Sequence, residues 1–526
     1  MSIEADFITV TALLNCLTRE IATVEHGPTH LTAYLPCTGQ VLRAAHGRWP
    51  QCPELRTGTV WRPLAWPELA AMVAAELAAR TGHTNDALLA DITASHRAAT
   101  ALVHARTIAP LPADPFRRSE QALVAGHRFH PAPKARGHLP AASWLPYAPE
   151  AYAQFTLPLV GIPAELVAQE GDVAALDALP APLGYHALPV HPWQLALVGG
   201  LPEGVIQLGY LDRDVWPTSS VRTVYDEERD LFLKFSLDVR ITNDIRRLWR
   251  RDLRWVVELG QVLRESFDAM AAKYPSAAVF IDRGYRTVNL GDEDIYEALA
   301  VIVRDGLRTH LRPGIVPLLA AGLSEGFPGS PLDGRDSEQA LDWWRAYVDI
   351  VVPPVLMAYF AYGIVLECHL QNVVIGVDET GLPVQVLFRD SEGTCLVVDR
   401  HAALLHRKGM MGGYPGVDPA YGWNRLVYCL VTNHLQEIAG ALVDRHPCLS
   451  SALWEVAREL FAICGGDHGN PVEIQELLDR SDIPAKANLL LRWTESDGAA
   501  TLYVAHPNPL LTGLNADPRG KSHPDS

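Results

Sequence analysis

The sequence predicts an α+β protein, a helical N-terminal part followed by two mixed units that each carry an antiparallel sheet. Three observations lead there. Apolar residues recur near a 3.6 period early in the chain and again over residues 428–443 and 451–463. From about residue 150 the texture changes to short apolar segments separated by turn residues. Two pairs of such segments read as hairpins, 220–225 with 231–236 across DEERD and 372–377 with 384–389 across DETG.

Each element follows in turn. Phe7, Ile8, Leu13, Leu14, Leu17 and Ile21 share one helical face, and the first 110 residues read as helical throughout. Residues 66–80 (WPELAAMVAAELAAR) form an Ala-rich amphipathic helix with proline at its start, and 86–104 form another. Pro110, Pro112 and Pro115 mark a break before a short helix at 119–126. Strands are expected at 155–163, 185–190 and 205–211, and a long helix over 243–273. The uncharged stretch 350–366 is borderline for a membrane span. Pro353-Pro354 breaks it and a polar cluster follows at once, so it reads as a buried core helix. The Gly, Pro, Ser and Asp of 324–337 suit a linker, and the polar tail after Thr512 suits a frayed end.

Composition narrows the function. In 526 residues, 48% are hydrophobic and 20% charged, enough apolar material for several cores. At roughly 150 residues per domain, two to four domains are expected. Lys and Arg number 44 against 61 Asp and Glu, a net charge of -17. That excludes an extended nucleic-acid surface but leaves room for a basic pocket that takes an anionic metabolite. Glu4 and Asp6 precede the first apolar run, so no secretory signal is expected. The eight cysteines contain no CxxC pair, which fits reduced thiols in the cytoplasm.

Two constellations carry the chemistry. The first runs from Pro217 to Arg254. Ser219, Ser220, Arg222 and Thr223 open one strand, Lys234 lies on its partner, and Thr242-Asn243-Asp244 reads as a helix N-cap with Arg246 in the first turn. Hydroxyls, a lysine, forked guanidiniums and a helix N-terminus are the groups a triphosphate needs. A solvated helix face paired to acidic neighbours explains the same arginines about as well. The second is Glu367-Cys-His369-Leu-Gln371-Asn372, a hairpin, then Arg389-Asp390-Ser-Glu392. Hard oxygen donors at the two ends of a hairpin suit a magnesium ion bridging phosphates. The alternative is that His369 and Asn372 satisfy buried backbone.

Two further motifs are weaker. In 126–137 (GHRFHPAPKARG), His127 and His130 are spaced for a metal, or, with Lys134 and Arg136, for an anion. His191-Pro-Trp193-Gln194 reads as a turn locked against a core. No GxGxxG after a strand and no GxxxxGK[ST] is present. An ATP-dependent ligase, a kinase-like phosphotransferase, a zinc hydrolase built on His127, His130 and His191, and a non-catalytic binding protein all remain open on these residues.

In chain order the motifs resemble the IucA/IucC (aerobactin synthetase) family of NRPS-independent siderophore synthetases. The matching blocks are LLNCLTRE (13–20), GHRFHPAPKARG (126–137), HPWQ (191–194), TSSVRT (218–223), KFSLDVRITNDIR (234–246), ECHLQN (367–372), FRDSEG (388–393) and PAKANLLLR (484–492). The resemblance implies a cupped hand: a helical thumb over 1–150, fingers over 151–345, a palm over 346–526, and an ATP cleft between fingers and palm. It implies adenylation of a carboxylate of citrate, a citrate derivative or 2-oxoglutarate, then attack by an amine, hydroxylamine or alcohol, with ATP and Mg2+ as cofactors. It also implies a cytoplasmic homodimer. Carried over, Ser220, Arg222, Thr223 and Lys234 resemble the phosphate cradle and His127 a group near the phosphates. Arg246 would lie between phosphate and substrate carboxylate, with Asn243 beside it. Glu367 and Asp390 resemble magnesium ligands with Gln371 close by, and Thr242, His369 and Lys486 resemble groups that hold the acid. Arg128 stands where the family usually has proline.

Overall fold

The computed structural model describes residues 5–137, 139–242, 244–407, 415–495 and 502–512. Its three largest sheets are a five-stranded N-terminal meander, a broad eight-stranded antiparallel sheet, and a four-stranded sheet embedded in long helices.

The N-terminal part is not all helical. After the helix Ala5–Glu20, five strands run as an antiparallel meander from Thr23–His26 to Val60–Pro63. These strands are 4 to 7 residues long and separated by turns such as Gly27-Pro28 and Thr38-Gly39. At that length the alternation of buried Leu31 and Ala33 is hidden between two strong helical periods. The helices Trp66–Thr81 and Asp86–Ile108 then follow close to expectation. Gly82 ends the first at φ +78°, a left-handed turn that a side chain disfavours. Next comes the short helix Pro115–Glu120, earlier than the expected 119–126 because Asp114 caps it through the amides of Phe116 and Arg117.

The eight-stranded sheet runs Val167–Gly171, Asp282–Val288, Val301–Asp305, Leu231–Phe235, Thr223–Asp226, Ile206–Pro217, Phe155–Pro163, Tyr185–Pro189. Its strand pairs are antiparallel, and both expected segments of the 223–235 hairpin pair as read, with Thr223 opposite Lys234. Lys234 in turn lies opposite Ile302, and Arg304 lies opposite Asp282.

The expected helix start at 243 is overturned. Residues on either side of Thr242 form a second small hairpin, Leu237–Ile241 with Asp244–Arg246, and the helix begins at Arg250. Thr242 sits at φ +59° in the turn. The Thr-Asn-Asp sequence that reads as a cap suits a tight turn equally well, because these side chains hydrogen-bond to nearby backbone in turns as they do in caps. The helix start is satisfied from a distance instead: the Arg250 amide donates to Glu297 Oε1 at 2.8 Å.

The smaller sheet orders Ala277–Val279, Pro383–Phe388, Val373–Val377 and Val316–Leu319. It draws strands from both sides of position 345, and Ala277–Val279 pairs in parallel, so the sheet is mixed. The helix Ser337–Tyr362 passes through Pro353 and Pro354 without ending; Gly363 ends it at φ +66°. Two missing amide donors are tolerated because Trp343, Trp344, Tyr347, Val351, Val352 and Val355 bury the helix in the largest core. Residues 326–336 link this helix to Ala320–Glu325 as expected, yet Phe327 and Leu332 are buried, so the segment is packed. Among the described residues one helix, Pro419–Arg445, is long and apolar enough to cross a membrane; most of its apolar window lies inside the fold. Near the C-terminus, the helix Asn488–Trp493 returns to the N-terminal core, where Leu489 and Trp493 pack with Leu13, Leu17 and Val73.

Candidate active site

The hairpin and the loop after Phe388 meet at a dense cluster of charges. Every residue of the strand Leu231–Phe235 is buried, so Lys234 delivers its ammonium inside the fold, at 1% exposure. It donates to Asp390 Oδ1 at 2.6 Å and Glu392 Oε2 at 2.5 Å. Arg222 donates to the same Glu392 oxygen at 2.8 Å and to the Arg246 carbonyl at 3.1 Å. The Thr223 amide donates to the Ser220 carbonyl at 2.8 Å, closing the turn that places Ser220 beside Arg222. That turn is anchored to the second motif: Glu120 accepts the Ser219 amide at 2.9 Å and pairs with Arg389, whose guanidinium also donates to the Gln371 carbonyl at 2.8 Å.

Asp390 itself has φ +70°, a conformation that costs a non-glycine residue on the order of 1 kcal/mol or more. Burial would raise its carboxyl, but Lys234, Arg304 and Arg222 hold it well below the usual carboxylate range. Glu392 is likewise lowered: Arg222 and Lys234 outweigh its burial. Both acids are therefore anionic counter-ions of the cradle, as buried charges need to be.

A second group of residues lies beside the first and has the opposite balance. The His127 Nδ1 accepts the Phe129 amide at 3.2 Å, and the His369 Nδ1 accepts the Gln371 amide at 3.2 Å. A ring nitrogen that accepts an amide carries no proton, so each neutral ring offers its Nε2–H as a donor. Burial pushes His127 down to about 3, helped by His130, Lys486 and His369, and burial also lowers His369. Burial lowers the Lys486 ammonium too, with Glu367 opposing and Arg425 and Arg246 adding to the shift. The Arg246 guanidinium donates to Thr242 Oγ1 and the Ile241 carbonyl, each at 3.0 Å. His127, His369, Lys486, Arg246 and Thr242 thus gather in one neighbourhood, in which Glu367 and Asp390 oppose the lowering of His369. Glu367 borders it, accepting from Arg425 at 2.7 Å. Arg425 also donates to the Gly393 carbonyl at 2.9 Å, and a Cβ at position 393 would sit 1.6 Å from Glu367 Oε2. Glycine at 393 is what lets the Glu367 carboxylate occupy that space.

Glu367 and Asp390 supply the hard oxygen donors that magnesium prefers, so the donor chemistry fits such an ion. Among the described residues no group of three or more His, Cys, Asp or Glu side chains converges on one point. A bound ion would thus complete its shell from phosphate oxygens and water, as magnesium commonly does. Gln371 joins the site through its backbone, its amide donating to His369 Nδ1 and its carbonyl accepting from Arg389. Asn243 lies outside the described residues.

Two readings are corrected and a third holds. Lys134 and Arg136 do not offer themselves to an anion: both bind Glu150, at 2.6 and 2.8 Å, in a buried triad. His130 does not pair with His127 as a metal site; its Nδ1 accepts the Ala132 amide at 3.1 Å, and the two rings stand 6.4 Å apart. His191 packs among Tyr147, Phe155 and Phe235 and caps the helix Pro192–Val198 through the Trp193 amide, the structural role expected of it. Sequence reasoning placed Glu392 in the second motif without a role of its own, and it missed Arg304 and Arg425. Arg304 had a signal, a lone arginine inside the apolar strand Val301–Asp305. Arg425 had none, being 58 residues from its partner.

Comparison with known proteins agrees on the class. Residues 115–325 match the model of the IucA / IucC family, and 341–501 match that of the ferric iron reductase FhuF-like transporter. Over residues 115–325 the chain is thus similar to the IucA / IucC family. It is 28% identical over 433 residues to L-2,3-diaminopropanoate–citrate ligase of Staphylococcus aureus, covering 74% of each chain. It is 29% identical over 467 residues to the rhizobactin siderophore biosynthesis protein RhbC of Rhizobium meliloti, covering 78% of this chain and 79% of that one. The fold matches ATP-bound aerobactin synthetase IucA from Klebsiella pneumoniae with a TM-score of 0.82 at 21% identity, over 96% of this chain and 99% of that chain.

Proposed function

We propose that this chain is an ATP-dependent ligase. In this reading it adenylates a carboxylate of citrate or a citrate derivative and transfers the acyl group to an amine, hydroxylamine or alcohol. The observation that carries the reading is the adjacency of two unlike clusters: a counter-ion-balanced cradle at Lys234, and a cation-rich pocket at His127, His369, Lys486 and Arg246. A polycarboxylate and a triphosphate are both anions, and bringing them together needs this separation of fixed charge.

The chain's own groups divide the work. Lys234 and Arg222 exchange Glu392 for phosphate oxygens, with Ser220 and Thr223 lining the turn. Arg246, held by Thr242, reaches both phosphate and acid. His369 and Lys486 hold the acid, and His127 donates from Nε2 towards the α-phosphate. One carboxylate oxygen attacks the α-phosphorus as the bond to pyrophosphate breaks. The nucleophile then attacks the acyl carbon, AMP leaves with the bonding pair, and the nucleophile's proton passes to solvent. Magnesium, held by Glu367 and Asp390, would neutralise charge on the phosphates. Burial of the pocket keeps water from the acyl adenylate. The named relatives are a ligase and a siderophore biosynthesis protein, so they lend nothing to a phosphotransferase. The same reading includes thumb, fingers and palm regions and a cytoplasmic homodimer.

Product analysis tests it. With ATP, Mg2+, hydroxylamine and either citrate or 2-oxoglutarate, AMP and pyrophosphate are expected with citrate. ADP in their place would overturn the reading in favour of phosphoryl transfer.

A further inference from the structure

Asp390 is held by more than its proposed role requires. Lys234 at 2.6 Å and Arg304 Nη2 at 3.3 Å both bind Oδ1. Oδ2 is thereby the oxygen left to a ligand. Arg304 is 3% exposed and is itself fixed by Asp282, directly opposite on the next strand, through Nε to Oδ1 at 2.5 Å and Nη2 to Oδ2 at 3.2 Å. Asp282, 2% exposed, also accepts Ser391 Oγ at 2.5 Å. Ser391 is the residue after Asp390, so the network closes on both sides of the left-handed residue. Lys234 lies opposite Ile302 on the strand Val301–Asp305, and Arg304, two residues on, shares that face. Three adjacent strands therefore present Asp282, Arg304 and Lys234 in one row beneath Asp390.

We propose that Arg304, fixed by Asp282 and Ser391, is a positioning residue that ties down Asp390 Oδ1 so that Oδ2 points to a divalent cation. This rests on the reading of Asp390 as a metal ligand. The physical reason is twofold. A carboxylate in strained backbone needs a restraint to stay there. A carboxylate whose one oxygen is tied can offer the other without rotating, and partners of metal ligands typically set affinity 10- to 100-fold. Lys234 cannot supply the restraint alone, because the phosphates compete for its ammonium.

The test measures Mn2+ binding by electron paramagnetic resonance, with a non-hydrolysable ATP analogue present, in Arg304→Gln, Arg304→Lys, Ser391→Ala and Asp390→Asn. Arg304→Gln is expected to weaken Mn2+ about 10- to 100-fold, with affinity for the metal-free analogue unchanged and with a raised Mg2+ requirement for AMP release. Arg304→Lys recovers part of the loss, and Ser391→Ala weakens Mn2+ by less. Wild-type Mn2+ affinity in folded Arg304→Gln would overturn the proposal while Asp390→Asn still loses the ion. If Arg304→Gln fails to fold, wild-type affinity in Ser391→Ala overturns it instead. Unchanged binding in Asp390→Asn would remove the metal reading and this inference with it.

Discussion

The two halves of the site solve opposite electrostatic problems. Around Lys234, each cation already has a carboxylate: Lys234 and Arg222 share Glu392, and Lys234 and Arg304 share Asp390. Around His127, burial first holds His127, His369 and Lys486 below their ordinary values, and Glu367 is the carboxylate that opposes the shift at His369 and Lys486. A balanced cluster keeps its geometry without ligand but must trade partners to bind one. An unbalanced pocket gains most when an anion arrives and carries the cost in its ligand-free state. The contrast explains how an acidic chain reserves its cations for one cleft.

Substitutions break this comparison in a definite order. Lys234→Ala leaves Glu392 and Asp390 uncompensated and removes the phosphate donor. A fall in kcat/KM for ATP of about 10²- to 10³-fold is expected, the scale of losing one transition-state electrostatic contact. Steady-state kinetics with varied ATP reads it. Gly393→Ala is next: the new Cβ takes the space of Glu367 Oε2. A loss of about 10- to 100-fold in apparent Mg2+ affinity is expected, with thermal stability near wild type. Lys486→Ala strikes only the unbalanced side. It should raise KM for the acid about 10-fold, the worth of one charged hydrogen bond, and leave ATP affinity measured by calorimetry unchanged. A shift in ATP affinity would show that the two clusters act as one.

A separate effect is on pH stability. His127, His191 and His506 have folded values near 3 and His434 near 4, all lowered by burial. An unfolded histidine titrates near 6.5. Between those limits the unfolded chain binds more protons, so stability is complete above about pH 6.5 and is lost as pH falls towards 3. Melting temperature followed from about pH 6.5 to 4 should fall, the four histidines outweighing Glu20, whose carboxyl burial raises to about 7 and whose contribution runs the other way; a net rise over that range would contradict the buried neutral histidines.

Legibility in the sequence followed the range of the interactions. The 223–235 hairpin and the 373–388 hairpin were readable because strand, turn and strand are contiguous, and the register that sets Thr223 opposite Lys234 follows from the turn. The chemistry at the two ends of the second hairpin was readable for the same reason. The N-terminal meander was not, since strands of 4 to 7 residues carry little periodicity beside long helices. The helix start was misplaced because Thr242 and its neighbours satisfy a turn and a cap alike; Glu297, from elsewhere, decided between them. Arg304 and Arg425 act across 86 and 58 residues, distances at which only the fold assigns partners.

The central claim is that the cation-rich pocket holds a carboxylate for attack on ATP before any nucleophile is needed. Exchange of radiolabelled pyrophosphate into ATP, with Mg2+ and citrate and no amine, tests it most directly. The account predicts exchange that depends on citrate, is abolished in Lys234→Ala, and in Lys486→Ala requires more citrate. Exchange independent of the acid, or acid-dependent release of ADP without exchange, would contradict it.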